Sequence, residues 1–186
     1  MNIGFAMCGS FCTYSEVFPV LRQLAGAYDV TPILSSASQI CDSRFGTAKE
    51  HIALAESICG KKALLSITDV EPIGPKKLLD ALVIAPCTGN TLAKLAHGIA
   101  DGPVTMAAKS HLRNGRPVLI AISTNDALAA AAENIGKLLN RKHYYFVPFG
   151  QDDPIGKPTS MVADFGQIPE ALKLALEGKQ IQPILR

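Results

Sequence analysis

The chemistry-bearing residues of this sequence gather in short polar breaks between apolar runs. One such break is Pro86-Cys87-Thr88-Gly89-Asn90-Thr91, which interrupts the apolar run Ala81–Ala85 and leads into helix-forming sequence. A polar turn at a helix N-terminus offers unpaired backbone N–H groups and partial positive charge, the parts of a phosphate or cofactor seat. Gly89 permits a flat approach to the backbone. The Asn90 amide carries donors and an acceptor, as reading a planar heteroaromatic ring requires. Cys87 stands where a helix N-terminus lowers a thiol pKa; the alternative is a small residue that fits the turn. A second break, Cys8-Gly9-Ser10-Phe11-Cys12, holds a single glycine where a dinucleotide turn G-x-G-x-x-G needs more. A third, Ser35-Ser36-Ala37-Ser38, lacks the acid that grips the ribose of NAD. Its hydroxyls and amides suit a phosphate, either a mononucleotide's own or the 2′-phosphate of NADP, or else serve as N-cap and turn serines.

The most charged break is Gln151-Asp152-Asp153-Pro154-Ile155-Gly156-Lys157-Pro158-Thr159-Ser160. Prolines and glycines stiffen it, which suits a lid, a partner contact or a solvated surface loop. A further break, Ser123-Thr124-Asn125, ends the apolar run before it. His97 and His111 fall in helical sequence and His143 at a strand start, so they read as packing or surface residues. Cys8, Cys12, Cys41, Cys59 and Cys87 show no C-x-x-C spacing and read as small residues of a reducing compartment. Cys8 and Cys12 have no second pair or nearby histidine, so no metal site is expected.

Positioning these breaks takes alternating strands and helices. Asn2–Met7, Asp29–Leu34, Ala63–Ile67, Ala81–Ala85, Pro117–Ile122 and Tyr144–Val147 read as strands. Helices are expected over Tyr14–Ala27, Ala48–Ile58, Thr91–Ala100, Val104–Asn114, Asp126–Asn140 and Pro169–Glu177. Thr13 with Glu16, and Thr47 with Glu50, have capping-box spacing. The order predicts one domain over residues 1–186, a three-layer α/β/α, doubly wound Rossmann-like (flavodoxin-like) fold. Its sheet should be mainly parallel, with about six strands. Ligands then bind beyond the strands' carboxyl ends. That selects the loops 8–14, 35–46, 68–79, 86–91, 123–126 and 148–160.

Composition excludes several classes of function. Hydrophobic residues make up 48% and charged residues 18%, the balance of a globular chain, not a disordered one. A net charge of +2 and the absence of tryptophan argue against nucleic acid or an anionic membrane as partner. No apolar run reaches the ~18 residues of a spanning helix, and the N-terminus lacks a basic leader, so a cytoplasmic protein is expected.

Several of these stretches together resemble the superfamily of flavin-dependent cysteine decarboxylases and flavin prenyltransferases. The resemblance covers about residues 2–147 and is carried by Gly9-Ser10, by Pro86–Thr91 and by Leu95-Ala96-His97-Gly98-Ile99-Ala100-Asp101. Asn90 is similar to the decarboxylase form of the loop. Pro86-Cys87-Thr88 and Arg116-Pro117-Val118-Leu119 are similar to the prenyltransferase form. Departures are equally specific. Where decarboxylases carry a Pro-x-Met-Asn clamp and prenyltransferases an Arg-Glu-Thr segment, this chain has Ser123-Thr124-Asn125-Asp126. The position of the decarboxylase histidine corresponds to Glu71-Pro72, and the string His51-Ile52-Ala53-Leu54-Ala55 sits one unit too early. Within the superfamily, the whole chain, including 151–160, most resembles the family of dipicolinate synthase B subunits.

That resemblance implies an FMN-type pocket, with NADP or no bound cofactor as alternatives. Gly9, Ser10, Ser35, Ser36 and Ser38 would hold phosphate and ribose. Phe11, Pro86, Cys87, Thr88, Gly89, Asn90, Thr91, Ser123, Thr124 and Asn125 would complete the pocket around the ring. It further implies an oxidoreductase subunit of sporulating cells, a homo-oligomer, with a nicotinamide-binding A subunit as partner and a small dicarboxylate as substrate. Lys157 would meet a carboxylate and Asp153 would act as base. The alternatives are a non-catalytic partner subunit and a stand-alone FMN-dependent decarboxylase or prenyltransferase.

Overall fold

The structure, a computed structural model, describes residues 1–186. Its sheet is built on β1 (Asn2–Met7), β2 (Asp29–Leu34), β3 (Ala81–Cys87), β4 (Val118–Thr124) and β5 (Tyr144–Phe146), parallel in the order β2-β1-β3-β4-β5. Every residue of β3 is buried, and in β4 all but Thr124. Near-continuous apolar runs of this kind belong to strands covered on both faces. Each fully buried Leu or Ile side chain contributes roughly 1.5–3 kcal/mol.

The covering helices are α1 (Tyr14–Ala27), α2 (Ser36–Ile40), α3 (Ala48–Cys59), α4 (Ile67–Val70), α5 (Gly89–His97), α6 (Pro103–Leu112), α7 (Ala132–Leu139) and α8 (Ile168–Leu176). Of these, α1 packs with α3 and α8 on one face, and α5 packs with α6 and α7 on the other. The three-layer, mainly parallel α/β fold expected from the sequence is the one observed. The Thr47–Glu50 capping box also forms, with Glu50 N–H donating to Thr47 Oγ1 at 3.2 Å and Thr47 N–H donating to Glu50 Oε2 at 2.9 Å.

Three expectations are corrected. Residues 63–67 make only an isolated bridge, Ile33 to Leu64, because Ser66 and Asp69 form a capping box that turns the chain into α4. The sheet, expected to have about six strands, has seven, since β6 (Phe149–Gly150) and β7 (Met161–Ala163) add to it antiparallel. Here β7 pairs with Ser123 and Thr124, beyond the part of β4 that β5 occupies. Thr13 does not cap α1; its hydroxyl donates to Ser10 O at 2.9 Å, inside a 3-10 turn over Phe11–Thr13. Finally, α7 starts at Ala132, not Asp126, because Leu128 N–H is drawn to Thr159 O at 3.0 Å and the chain before it forms turns on Asp126. No helix is long and apolar enough to cross a membrane.

Candidate functional site

The carboxyl ends of β1, β3 and β4 surround a cavity of about 940 Å³. Gly9–Thr13 and Glu16 form its first wall, Thr88–Asn90 its floor, and Ser123–Asp126 the wall opposite. Ser43–Phe45 and the segment carrying Asp152, Lys157, Ser160 and Val162 close over it. A smaller cleft of about 260 Å³ adjoins it, sharing Gly9, Thr88 and Asn90. Ser35 and Ser36 line that cleft, as do the first residues of α6 and Thr105.

Side-chain hydrogen bonds tie this floor together. Ser10 Oγ donates to Ser123 O at 2.6 Å, tying the β1 loop to the end of β4. Thr88 Oγ1 accepts from Thr91 N–H at 3.3 Å and so caps α5. Thr91 Oγ1 reaches Cys8 Sγ at 3.3 Å. Gly89 is held close to β4: a Cβ there would lie 2.7 Å from Asp126 Oδ1 and 2.8 Å from Thr124 Oγ1. The first turns of α5 and α6 line the smaller cleft, and the N-terminal end of a helix favours an anion.

The family model described as Flavoprotein matches residues 1–171. The chain belongs to the flavoprotein family. Within that family it is similar to the B subunit of dipicolinate synthase from Bacillus subtilis, 46% identical over 99% of this chain and 92% of that protein. The crystal structure of the dipicolinate synthase B subunit from Bacillus halodurans superposes with a TM-score of 0.91 at 45% identity, covering 100% of this chain and 95% of that one. SpaF, an FMN-dependent cysteine decarboxylase, gives a TM-score of 0.69 at 23% identity over 95% of each chain, a likeness of fold.

Most of the residues singled out in the sequence meet in this flavoprotein's paired cavities. Gly9, Ser10, Phe11, Thr88, Gly89, Asn90, Ser123, Thr124, Asn125 and Lys157 line the larger one. Ser35, Ser36 and Thr91 line the smaller. Ser38, Pro86, Cys87 and Asp153 line neither. Ser38 is fully buried, its hydroxyl engaged with Tyr14, Ser35 and Met7 O, so it supports the Ser35–Ser38 segment from beneath. Cys87 is also fully buried, and burial, reinforced by Cys8, holds its thiol well above the ordinary range. Of the two readings of Cys87, burial therefore favours the small residue that fits the turn over the activated thiol. Asp153 turns back on its own loop and accepts Gly156 N–H at 2.8 Å, while its neighbour Asp152 faces the cavity.

Lys157 is not a free cation: it donates to Asp152 Oδ2 at 3.1 Å. Burial would raise the Asp152 pKa, yet Ser160 and Lys157 beside it bring it below the ordinary carboxylate value. The loop 68–79 contributes to neither cavity. Without a strand at 63–67, it does not follow a carboxyl end. Sequence reading missed Ser43, Arg44, Phe45 and Asp126. The first three lie within the 35–46 loop and Asp126 within the 123–126 loop, both of which topology selected.

Proposed function

We propose that this flavoprotein is the B subunit of a two-protein dipicolinate synthase, a single-domain cytoplasmic protein of sporulating cells that binds FMN. Its partner would be a nicotinamide-binding A subunit, and their joint reaction the oxidation of a dihydro- or hydroxytetrahydro-dipicolinate to dipicolinate. The observation that carries this is near-full-length similarity to a dipicolinate synthase B subunit, 46% identity over 99% of the chain, met by a two-part cleft of suitable chemistry.

The residues present fit FMN. Ser35, Ser36, Thr88 and Thr105 and the N-termini of α5 and α6 would take the phosphate. Space there is narrow, since a Cβ on Gly102 would sit 3.5 Å from Ser36 Oγ. Gly9, Ser10, Phe11, Gly89, Asn90 and Ser123–Asn125 would line the ring, with Asn90 exposed to both cavities. The flavoprotein match and the FMN dependence of SpaF support this cofactor and offer nothing for NADP. A bound flavin would accept the two electrons that leave the ring as it aromatises. The protein's own part is to orient the substrate against it and exclude water. Self-assembly into a homo-oligomer belongs to the same proposal.

A second reading is favoured by one observation: no histidine lines either cavity, and the one lysine of the larger cavity is ion-paired. The chain would then shape the A subunit's site without supplying a histidine or a free lysine to the reaction. An absorption spectrum of the purified protein, with and without added FMN, tests the pocket. Flavin bands that stay with the protein through gel filtration are expected, and their absence would remove the FMN assignment. Dipicolinate formation by the partner alone, by this chain alone and by both together tests the role. Activity from the pair only is expected, and full activity from the partner alone would refute it.

A further inference from the structure

The larger cavity is lined by two cations in different states. Lys157 is neutralised by Asp152. Arg44 takes part in none of the protein's ion pairs, and its guanidinium lies 4.8 Å over the ring of Phe45, its chain neighbour. Glu16 and Asp126 also line the cavity, Asp126 accepting the Thr124 hydroxyl. The three carboxylates of Glu16, Asp126 and Asp152 outnumber the two cations of the lining, and Arg44 is the one cation there outside an ion pair. A guanidinium offers a planar fork that matches a carboxylate through paired hydrogen bonds, and stacking on an aromatic face holds it ready.

The turn that carries Arg44 is firmly built. Ser43 N–H donates to Gly46 O at 3.0 Å and Gly46 N–H to Ser43 O at 3.1 Å. Ser43 Oγ accepts from Phe45 N–H at 3.1 Å. Gly46 has φ +126°, and a Cβ there would meet His51 Nε2 at 2.7 Å, so the imidazole packs directly beneath the turn. His51 Nε2 lies 3.1 Å from Phe45 O, and its ring is held among Phe11, Tyr14 and Phe18. His51 is buried, yet lines neither cavity.

From this geometry we propose that Arg44 is the specificity-determining residue for a carboxylate-bearing planar ring. Phe45 packs beside the ligand ring, and His51 acts as a positioning residue that fixes the turn. The inference rests on taking the larger cavity as the substrate pocket, and deepens it by naming the group that selects anions. It also reassigns the carboxylate contact from Lys157 to Arg44.

Calorimetric titrations of the full-length protein in excess FMN test it with three probes: dipicolinate, benzene-1,3-dicarboxylate and the neutral pyridine-2,6-dicarboxamide. Arg44→Gln should weaken both dicarboxylates by about tenfold or more, with Arg44→Lys intermediate. The diamide should change by less than about twofold, since it offers no charge to lose. His51→Phe should lower dicarboxylate affinity without altering that of the diamide, and His51→Gln, which restores a donor to Phe45 O, should recover part of it. Unchanged dicarboxylate binding in Arg44→Gln, or an equal loss for the diamide, would overturn the proposal. Arg44-dependent binding of benzene-1,3-dicarboxylate without any binding of dipicolinate would uphold Arg44 and sink the dipicolinate assignment. Failure of the unmodified protein to bind any dicarboxylate would remove both.

Discussion

The floor of the cleft and its cover are made of different materials. The floor consists of the ends of β1, β3 and β4, where backbone and small hydroxyl residues are locked by bonds such as Ser10 to Ser123 O and Thr88 to Thr91. The cover consists of the Ser43–Gly46 turn and the Asp152–Ser160 segment, where charged side chains stand in solvent and Ile155 is 96% exposed. Under the proposed function, a site divided this way would hold a cofactor against the core and leave substrate choice to charges on segments that change cheaply.

The sharpest contrast is in stability. Ile84, fully buried at the centre of β3, should cost about 2–5 kcal/mol as Ile84→Ala. Ile155→Ser on the cover should stay within about 0.5 kcal/mol. Urea midpoints at constant m-value measure both, and similar losses in the two variants would break the division between floor and cover.

The body of the fold should also dominate the response to acid. His111 is fully buried on α6, its Nε2 3.1 Å from Pro117 O at the entrance to β4. Burial pushes its pKa from 6.5 down to about 4; the Pro117 carbonyl and Asp80 oppose that shift, while Arg116 adds to it. A base whose folded-state pKa is lowered contributes stability above its unfolded pKa and loses it as pH falls through the folded value. Roughly 3 kcal/mol should therefore vanish between pH 6.5 and 4, and His111→Gln should flatten that slope. Denaturation curves across this range, with the slope unchanged in the variant, would assign the acid sensitivity elsewhere.

The same division explains what was legible in the sequence. Apolar runs at Ala81–Ala85 and Pro117–Ile122 announced buried parallel strands, and topology then located the site loops without any knowledge of side-chain contacts. The capping box at Thr47 was readable because both partners are local in sequence. Residues 63–67 misled because their apolar character suited a strand, while Ser66 and Asp69, three apart, took the chain into α4. Helix α7 was overextended because Thr159, distant in sequence, claims the Leu128 amide. On the floor, residue types pointed to Gly9, Ser10, Thr88, Gly89 and Asn90, which line the cavity, but also to Pro86 and Cys87, which do not. On the cover residue types did not suffice, because pairing decides a charge's role. Nothing in the sequence says that Lys157 is bound to Asp152 or that Asp153 folds back onto Gly156.

Between these extremes lies Gly89, where floor meets ligand. Gly89→Ala must part the Thr124–Asp126 pair to seat its methyl group, a strain of about 1–2 kcal/mol. FMN affinity should fall with it, because Thr88 to Asn90 move as one cap on α5. Fluorescence titration of FMN against Gly89→Ala and Gly89→Ser would show this, and undiminished affinity in both would mean that the floor yields more easily than its hydrogen bonds suggest.

The smallest expected change falls on the cover. Asp152→Asn removes the carboxylate that holds Lys157 but keeps the size of the side chain. Both members of the pair are partly exposed, so their contact contributes little to folding, and the melting temperature should shift by less than about 2 °C. The sign with pH follows from the shifts: Asp152 is lowered and Lys157 raised, so the pair is intact across the neutral range and is lost only in acid or strong alkali. What the substitution alters is the cavity. With its partner gone, Lys157 presents an uncompensated charge beside Ser160, and dipicolinate should bind about two- to fivefold more tightly at low salt, an advantage that fades as ionic strength rises. Combining Asp152→Asn with Arg44→Gln completes the comparison. If Lys157 then restores most of the lost affinity, the cover selects anions by charge alone. If it does not, the planar fork of Arg44 and its fixed turn carry the selection.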